Sequence, residues 1–289
     1  MNPLFARVGL IGKPQHQLVP GMLAQLRDLL RRRGCQVMLE LGCRDLLDGV
    51  ETLSMEQLGQ CCDLAIVVGG DGTFLATATA MAAHDVPLIG VNLGRVGFLV
   101  DIGVEHALEK ISGILDGHYL AEQRTQLRAT LLRNGVALHE HCALNEVVVH
   151  RWVSASMIEL YTTIDGLFLN TQRCDGLIVT TPTGSTAYAL SGGGPILHPR
   201  LAAIALVPIN PYTLTNRPIV LDDNSLVEVT FSGGKEVNAQ ICYDTVSISD
   251  VRLGDCIRIG KDPKPVTILH PVDYDFSQIL RAKLGWSSS

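Results

Sequence analysis

The sequence has little positive charge and no long apolar run. Its 289 residues carry 23 Lys and Arg against 29 Asp and Glu, a net charge of −6, so no general attraction to nucleic acid or to an anionic membrane is expected. No apolar run reaches the roughly 18 residues of a membrane-spanning helix. Residues 1–10 are typical of a lead-in and a strand rather than a signal peptide. Any phosphate-binding site must therefore be local.

Cysteine is present, but it lacks the spacing of a metal site. No pair forms C-x-x-C, so a zinc ribbon is not expected, and reduced, mostly buried thiols in a cytoplasmic protein are the default. At 47% hydrophobic residues, the chain is long enough for a large core and two domains. The eight cysteines are Cys35, Cys43, Cys61, Cys62, Cys142, Cys174, Cys242 and Cys256.

Two common phosphate-binding signatures are also missing. The glycine-rich stretch 69–73, Gly-Gly-Asp-Gly-Thr, is followed by no Gly-Lys-Ser/Thr and lacks G-x-G-x-x-G spacing. It lies between the apolar run Leu64–Val68 and an Ala-rich, helix-prone run that starts at Phe74. A second apolar run, Val86–Leu93, completes a predicted β-α-β unit of about thirty residues.

Asp71 is the unusual member of this stretch. Glycines between a strand and a helix let the backbone approach a phosphate, and the helix N-terminus supplies amide donors. A carboxylate there repels phosphate, so Asp71 must hold a metal, bind a hydroxyl or accept a proton. The alternative is an ordinary tight turn in which Asp71 or Thr73 caps the helix.

The first half of the chain alternates strands and helices. This order favours a doubly wound α/β domain with a parallel sheet, which binds ligands at the carboxyl ends of its strands. The loop Asn92–Phe98 follows the next strand and should lie beside the glycine-rich stretch. We expect strands at Arg7–Ile11 and Val37–Leu39, and helices at Gln17–Arg33, Met55–Gln60 and Glu105–Leu115.

The second half is typical of an all-β domain. Asn134-Gly135 and Asp165-Gly166 predict hairpins. We predict domains at 1–120 and 121–269, with a helix at Tyr274–Leu284 packing back on the first domain and a disordered tail at 287–289. The predicted strand segments are Gln123–Leu132, Val147–Val149, Met157–Asn170, Leu177–Val179, Leu226–Phe231, Val246–Ile248 and Cys256–Ile259.

Two segments of this β half are candidate binding elements. Asn145-Glu146 stands at a strand start, where an amide and a carboxylate can read a base edge and ribose hydroxyls, or can form an ordinary polar turn. The segment Asp175–Pro195 combines a hydroxyl-rich turn, a run of glycines and Tyr188. Such a segment suits a polar ligand that lies against backbone, with Tyr188 as a stacking surface. A purely structural Ser/Thr-rich turn is the alternative.

Taken together, these motifs resemble those of the bacterial NAD kinase family, which phosphorylates NAD to NADP. The first motif alone is shared with diacylglycerol, sphingosine and phosphofructo-kinases. The motifs keep the family's order over nearly the whole chain. They are Gly69–Thr73, Asn92–Phe98, Leu144–Glu146, Asp175–Pro195, Pro208–Val220 and Lys283–Trp286.

The resemblance implies an α/β domain followed by a β-sandwich-like domain, with the site between them. Asp71 matches the catalytic aspartate that takes the proton of the 2′-hydroxyl of the adenosine ribose. ATP with a divalent metal, usually Mg²⁺, is the implied donor; no residue is assigned as a metal ligand, and a homodimer or homotetramer is implied. The implied NAD- and ATP-binding residues are Gly69, Gly70, Gly72, Thr73, Phe98, Asn145, Glu146, Arg173, Asp175, Thr183, Thr186, Ala187, Tyr188 and Ser191.

Two positions depart from the family pattern. Tyr212 stands where many members have His. The later D-G-Q or D-S-Q loop is replaced by residues 242–246, Cys-Tyr-Asp-Thr-Val, so the resemblance assigns no role to Asp244. A lipid or sugar kinase with the same glycine loop and a non-catalytic NAD(P) sensor are the alternative functions.

Overall fold

The computed structural model describes residues 3–94, 97–152, 157–233 and 238–286. The chain forms two units, one of residues 1–123 with 266–289 and one of residues 124–265. The divisions therefore fall three residues after position 120 and four residues before position 270, where the sequence placed them. The predicted disordered tail, 287–289, lies outside the described residues.

The strands and helices are as follows. The strands are β1 (Arg7–Gly12), β2 (Gln36–Glu40), β3 (Glu51–Leu53), β4 (Leu64–Val68), β5 (Leu88–Asn92), β6 (Ile102–Gly103), β7 (Tyr119–Arg124), β8 (Leu127–Arg133), β9 (Val136–Ala143), β10 (Glu146–Arg151), β11 (Ile158–Ile164), β12 (Leu167–Cys174), β13 (Gly176–Thr180), β14 (Ala203–Ile209), β15 (Ile219–Asp222), β16 (Val227–Ser232), β17 (Ala239–Tyr243), β18 (Val246–Ile248), β19 (Cys256–Lys261) and β20 (Val266–Pro271). The α-helices are α1 (Val19–Arg32), α2 (Met55–Cys61), α3 (Asp71–Ala82), α4 (Ala107–Leu115), α5 (Tyr188–Ser191) and α6 (Phe276–Leu284).

The first unit is built on one sheet. Its strands lie in the order β3-β2-β1-β4-β5-β20-β7, with β6 beside β5, and the pairs from β3 to β20 are parallel. All five residues of β4 are buried, as expected for a central parallel strand that is covered on both faces. On one face, leucines of α1 and isoleucines of α4 share a core with β1 and β4. The predicted α/β architecture is confirmed.

Two features of this unit differ from expectation. Helix α3 begins at Asp71 rather than Phe74, so the end of the glycine-rich stretch forms its first turn. The chain also returns to the sheet as a strand, β20, before it forms α6. Residues 266–271, Val-Thr-Ile-Leu-His-Pro, neither alternate nor form a continuous apolar run, because Thr267 and His270 interrupt it, so no strand was predicted there. None of the described helices is long and apolar enough to cross a bilayer.

The second unit is a sandwich. Within its described residues, two six-stranded antiparallel sheets have the orders β15-β14-β13-β10-β17-β18 and β12-β11-β16-β19-β8-β9. Alternate residues of both sheets, such as Val149 and Leu160, point into one shared core. The predicted β-sandwich is therefore confirmed.

Turn chemistry fixes the two predicted hairpins. Asn134 and Gly135 have φ of 50° and 79°, and Asp165 and Gly166 have φ of 52° and 76°. Positive φ at both central residues is the geometry of the type I′ turn, one of the two turn types common in two-residue hairpins. The predicted single strand Gln123–Leu132 was wrong, because Thr125 and Gln126 separate β7 from β8.

A residue with left-handed backbone, Gly117, also follows the end of α4. Gly117 has φ of 90°; its amide donates to the Ile114 carbonyl (3.0 Å), and the His118 amide donates to the Gly113 carbonyl (2.9 Å). These two bonds are those of a Schellman motif.

Opposite effects are therefore expected for two alanine substitutions on this helix. Gly117→Ala should lower the free energy of unfolding by about 1–2 kcal/mol, because a Cβ disfavours left-handed backbone. Gly113→Ala, inside the helix and facing open space among the described residues, should raise it by about 0.5–1 kcal/mol. Urea unfolding of both variants checks this; a shift of both in the same direction would contradict it.

Candidate functional site

The Asp71 carboxylate is fixed by backbone amides. Asp71 is the first residue of α3, and its Oδ2 accepts from the Phe98 amide (2.9 Å). Its Oδ1 accepts from the amides of Leu99 (3.1 Å) and Val100 (3.2 Å). The side chain thus joins the helix N-terminus to the loop after β5, which confirms the predicted proximity of the two loops. This carboxylate bonds the neighbouring loop, so the ordinary helix cap is not its role.

The loop after β5 has a shape that leaves room for Asp71. A Cβ on Gly97 would collide with the Asp71 carboxylate, so only glycine fits there. Asn92 holds the loop from the other side: its Oδ1 accepts from the Gly94 amide (2.8 Å), and its Nδ2 donates to the Val100 carbonyl (3.4 Å). Residues 95 and 96 of the predicted motif lie outside the described residues.

The glycines around Asp71 differ in the space that surrounds them. A Cβ on Gly69 would meet the half-buried Thr73 at its Oγ1, 2.8 Å away, so Gly69 serves internal packing. Gly70 and Gly72 are exposed, and a Cβ on either would meet no described atom within 4 Å. Neither has the left-handed backbone that demands glycine. Bare backbone at these two positions therefore leaves space for an external group at the helix N-terminus.

The same region holds no protein cage for a metal. In the described residues, no three His, Cys, Asp or Glu side chains are grouped to hold an ion. Mg²⁺ commonly keeps several waters and binds substrate phosphates together with one or two carboxylates. A metal bound in that way needs no cage of three protein side chains.

In the second unit, the hydroxyl-rich turn after β13 docks on residues 144–146. The Thr181 hydroxyl donates to the Leu144 carbonyl (2.6 Å), and the Thr181 amide donates to the Asn145 carbonyl (2.9 Å). A Cβ on Gly184 would collide with the Asn145 carbonyl, so glycine is required for this close approach. Ser185 is also used internally, since its hydroxyl donates to the Pro182 carbonyl (2.6 Å). For these hydroxyls the structural alternative is correct.

The remaining predicted residues of this turn follow along the chain, and one of them, Tyr188, contacts Glu146. Buried Thr183 accepts from the Arg124 guanidinium (3.3 Å) through its hydroxyl, and its carbonyl accepts from the half-buried Thr186 hydroxyl (3.3 Å). Tyr188 begins the short helix α5, and its backbone amide donates to the Glu146 carboxylate. Tyr188 as a residue is 46% exposed, so part of it is accessible to a ligand. Ala187 precedes this helix and exposed Ser191 ends it.

Glu146 is a buried acid with spare hydrogen-bonding capacity. Only 8% of the residue is exposed, and its Oε2 has no partner in the described part of the chain. Burial, and then the charge of Asp244, raise the pKa of this carboxyl to about 8. A carboxyl that is mostly neutral at pH 7 can donate one hydrogen bond and accept others. An unpartnered buried oxygen of this kind suits a polar ligand.

Asp244, which the sequence left without a role, holds this segment in place. Its carboxylate accepts from the amides of Leu144 (2.7 Å), Asn145 (3.0 Å) and Glu146 (3.0 Å). It sits in the turn between β17 and β18 with φ of 48°, and burial raises its pKa. The sequence did contain a signal for this turn. Asp tolerates left-handed backbone, and Asp244 stands between two strand-like segments.

Arg173 and Asp175 do not join this cluster within the unit. Glu146 pairs with Thr180, whereas Asp175 precedes the other end of β13, roughly 16 Å away along the strand. Asp175 bonds Arg151 Nε (3.1 Å) there. Arg173 lies on the other sheet, 5.7 Å above the Tyr212 ring. Their assignment as dinucleotide contacts stays a prediction.

Comparison with known proteins agrees with these motifs. Family models of the ATP-NAD kinase N-terminal and C-terminal domains match residues 8–119 and 144–270. The NAD kinase of Methylococcus capsulatus is 52% identical over 289 residues, which is 100% of both chains. The chain belongs to the ATP-NAD kinase family. The expected family and the expected class, a phosphotransferase, are thereby confirmed.

Two solved structures share the fold of this NAD kinase family member. A yeast NADH kinase complexed with NADH has a TM-score of 0.90 at 24% identity, covering 100% of this chain and 90% of that one. An NAD kinase from Archaeoglobus fulgidus in complex with ATP has a TM-score of 0.72 at 26% identity, covering 96% and 97%.

The buried Glu146 carboxyl predicts a pH-dependent stability. Its native pKa of about 8 exceeds the ordinary value of 4.5, so the native state holds the proton more tightly than the unfolded state. The contribution of Glu146 to stability is therefore full below pH 4.5 and falls as the pH rises to about 8. Glu146→Gln cannot ionise, so its free energy of unfolding relative to the parent should rise between pH 5 and 8.

Urea unfolding at several pH values measures this difference. Glu140→Gln, at an exposed position of the same unit, is the matched control and should show a difference that does not change with pH. A difference for Glu146→Gln that is equally flat would contradict the buried neutral carboxyl.

Proposed function

We propose that this chain is an NAD kinase that transfers the γ-phosphoryl group of ATP to the 2′-hydroxyl of the adenosine ribose of NAD, giving NADP. One observation carries the proposal: the Asp71 carboxylate is fixed at a helix N-terminus beside two bare, exposed glycines. The names of the relatives support the substrate, and the solved relatives contain NADH and ATP.

Asp71 orients the hydroxyl and accepts its proton late. A carboxylate is a far weaker base than an alkoxide, so proton transfer accompanies formation of the oxygen–phosphorus bond rather than preceding it. Oδ1 of Asp71 accepts two amides, whereas Oδ2 accepts one and keeps a lone pair for the substrate hydroxyl. Because the amides fix the carboxylate, little reorganisation is needed during the reaction.

The segment around Glu146 binds the adenosine part of NAD. Glu146 offers a buried carboxyl that both donates and accepts, Asn145 an amide, and exposed Tyr188 a ring for stacking on the base. Half-buried Phe98 is the second proposed aromatic contact. Asp244 accepts from the backbone amides of Asn145 and Glu146 and so holds both residues in position for this role. Thr183, Thr186, Ala187 and Ser191 are proposed as further contacts.

Three features are proposed on the family resemblance. Mg²⁺ bound to ATP would offset the negative charge that the phosphates bring towards Asp71. The residues proposed to line the path of the phosphates are Gly69, Gly70, Gly72 and Thr73. Of these, exposed Gly70 and Gly72 would present their backbone to a phosphate at the helix N-terminus, whereas the amides of Gly69 and Thr73 already donate to the carbonyls of Val91 and Gly70. A homodimer or homotetramer is the proposed form of the enzyme. Its cysteines, which form no C-x-x-C pair, support the separate proposal of a cytoplasmic location.

Purified protein with NAD, ATP and Mg²⁺ tests the function, with enzymatic detection of NADP. The parent should form NADP, and Asp71→Asn should lower kcat by roughly 10²–10⁴-fold while KM for NAD changes only a few-fold, because the lost group acts in the transition state. Asp45→Asn, at an exposed position of the same unit, should keep the parental kcat.

Other results would contradict the proposal. Near-normal kcat in Asp71→Asn would remove the role of Asp71. Turnover of a diacylglycerol, sphingosine or fructose 6-phosphate in place of NAD would indicate a different kinase. Binding of NAD without NADP formation by the parent would indicate a sensor.

A further inference from the structure

A cysteine, a histidine and a serine form a cluster in the second unit. The Cys242 sulfur lies 3.4 Å from His150 Nε2 and 3.2 Å from Ser247 Oγ. Strand register brings them together, since Cys242 pairs with Val148, two residues before His150 on β10, and with Ser247 on β18. The cluster is therefore fixed by three adjacent strands of one sheet. Cys242 itself is a free, partly exposed thiol.

The tautomer of His150 follows from its other contact. His150 Nδ1 lies 2.9 Å from the Arg151 carbonyl oxygen, which can only accept a hydrogen bond. Nδ1 must therefore carry a proton, and Nε2 is the nitrogen that can take a proton from the Cys242 thiol. A nucleophile, a base beside it and a third group that orients the base make the usual arrangement of an activated nucleophile.

Electrostatics agrees with this geometry. Burial acts to raise the pKa of the Cys242 thiol, but hydrogen bonds from His150 and Ser247 outweigh it and the pKa is lowered. The hydrogen bond to Cys242 in turn raises the pKa of His150. Cys142, also partly exposed in this unit, shows the contrast, because burial raises its pKa to about 12. Thiolates, not thiols, are the reactive form of cysteine.

We propose that Cys242 is a modification site: His150 takes the proton of its thiol, Ser247 stabilises the resulting thiolate, and hydrogen peroxide oxidises the sulfur. The sulfur attacks one peroxide oxygen and the O–O bond breaks. The leaving hydroxide takes the proton from His150 Nε2 and becomes water. Sulfur is oxidised to a sulfenic acid and the peroxide is reduced, so atoms and electrons balance.

Oxidation at this position should reach the binding segment. Cys242 stands two residues before Asp244, which holds the amides of residues 144–146. It also packs against the cluster that contains Ala189 and Leu197, from the segment after β13. A polar oxygen added there disturbs both supports of Glu146. This consequence rests on the proposed function, in which Glu146 binds NAD, and it predicts weaker NAD binding.

Site-resolved alkylation of the full chain tests the thiolate. With iodoacetamide at pH 7 and peptide mass spectrometry, Cys242 should react at least about tenfold faster than Cys142, because each pKa unit changes the thiolate fraction about tenfold. His150→Gln should slow Cys242 by about tenfold and leave Cys142 unchanged. Ser247→Ala should slow it less, and it serves as the second variant if His150→Gln does not fold. Equal rates at Cys242 and Cys142, or a rate at Cys242 that neither substitution changes, would overturn the proposal.

Calorimetric NAD binding tests the consequence. After brief treatment with hydrogen peroxide, the parent should lose NAD affinity several-fold, whereas Cys242→Ser should keep its own affinity. An unchanged affinity of the oxidised parent would overturn the link to Glu146. Absence of NAD binding by untreated protein would instead contradict the proposed function, while the alkylation rates would still decide whether the thiolate exists.

Discussion

A carboxylate that accepts three consecutive backbone amides is the interaction on which the candidate site depends, and the chain uses it twice. Asp71 accepts from residues 98–100, and Asp244 accepts from residues 144–146. Hydrogen bonds to an ionised group are shorter and stronger than neutral ones, so each Asp fixes a segment that lies mostly outside regular strands and helices. In the first unit, these three hydrogen bonds position the Asp71 carboxylate itself. In the second unit, Asp244 positions the neighbouring residues that are proposed to bind NAD, Asn145 and Glu146.

The polar side chains of the candidate site in the second unit divide into those bonded within the protein and those with hydrogen-bonding capacity or surface left over. Three hydroxyls at the turn after β13 donate to backbone carbonyls, so they stabilise the turn and do not face a ligand. They belong to Thr180, Thr181 and Ser185. Glu146 keeps an unpartnered oxygen, in the described part of the chain, and Tyr188 is exposed. A motif rich in hydroxyls is thus mainly a scaffold. The groups proposed to recognise the ligand are the few that this scaffold leaves exposed or, among the described residues, without a hydrogen-bond partner.

Local signals in the sequence predicted much of this, and long-range pairing accounts for the rest. The strand β4, the Asn134-Gly135 hairpin and the α/β order follow from periodicity and turn chemistry over a few residues. Asp244 bonds residues nearly a hundred positions away, and β20 inserts into a sheet built almost wholly from the first half of the chain. No short window contains either relation. Asp71 was recognised as anomalous, but its amide partners were not foreseen.

The most direct measurement of this account compares alanine at two glycines of one loop. Gly97 has no room for a Cβ beside the Asp71 carboxylate, whereas a Cβ on Gly94 would be 3.9 Å from its nearest described neighbour, Asn92 Oδ1. If the position of the Asp71 carboxylate controls phosphoryl transfer, Gly97→Ala should lower the kcat of NADP formation by about 10²-fold, and Gly94→Ala should leave it within a few-fold of the parent. Parental kcat in a folded Gly97→Ala protein would contradict the account.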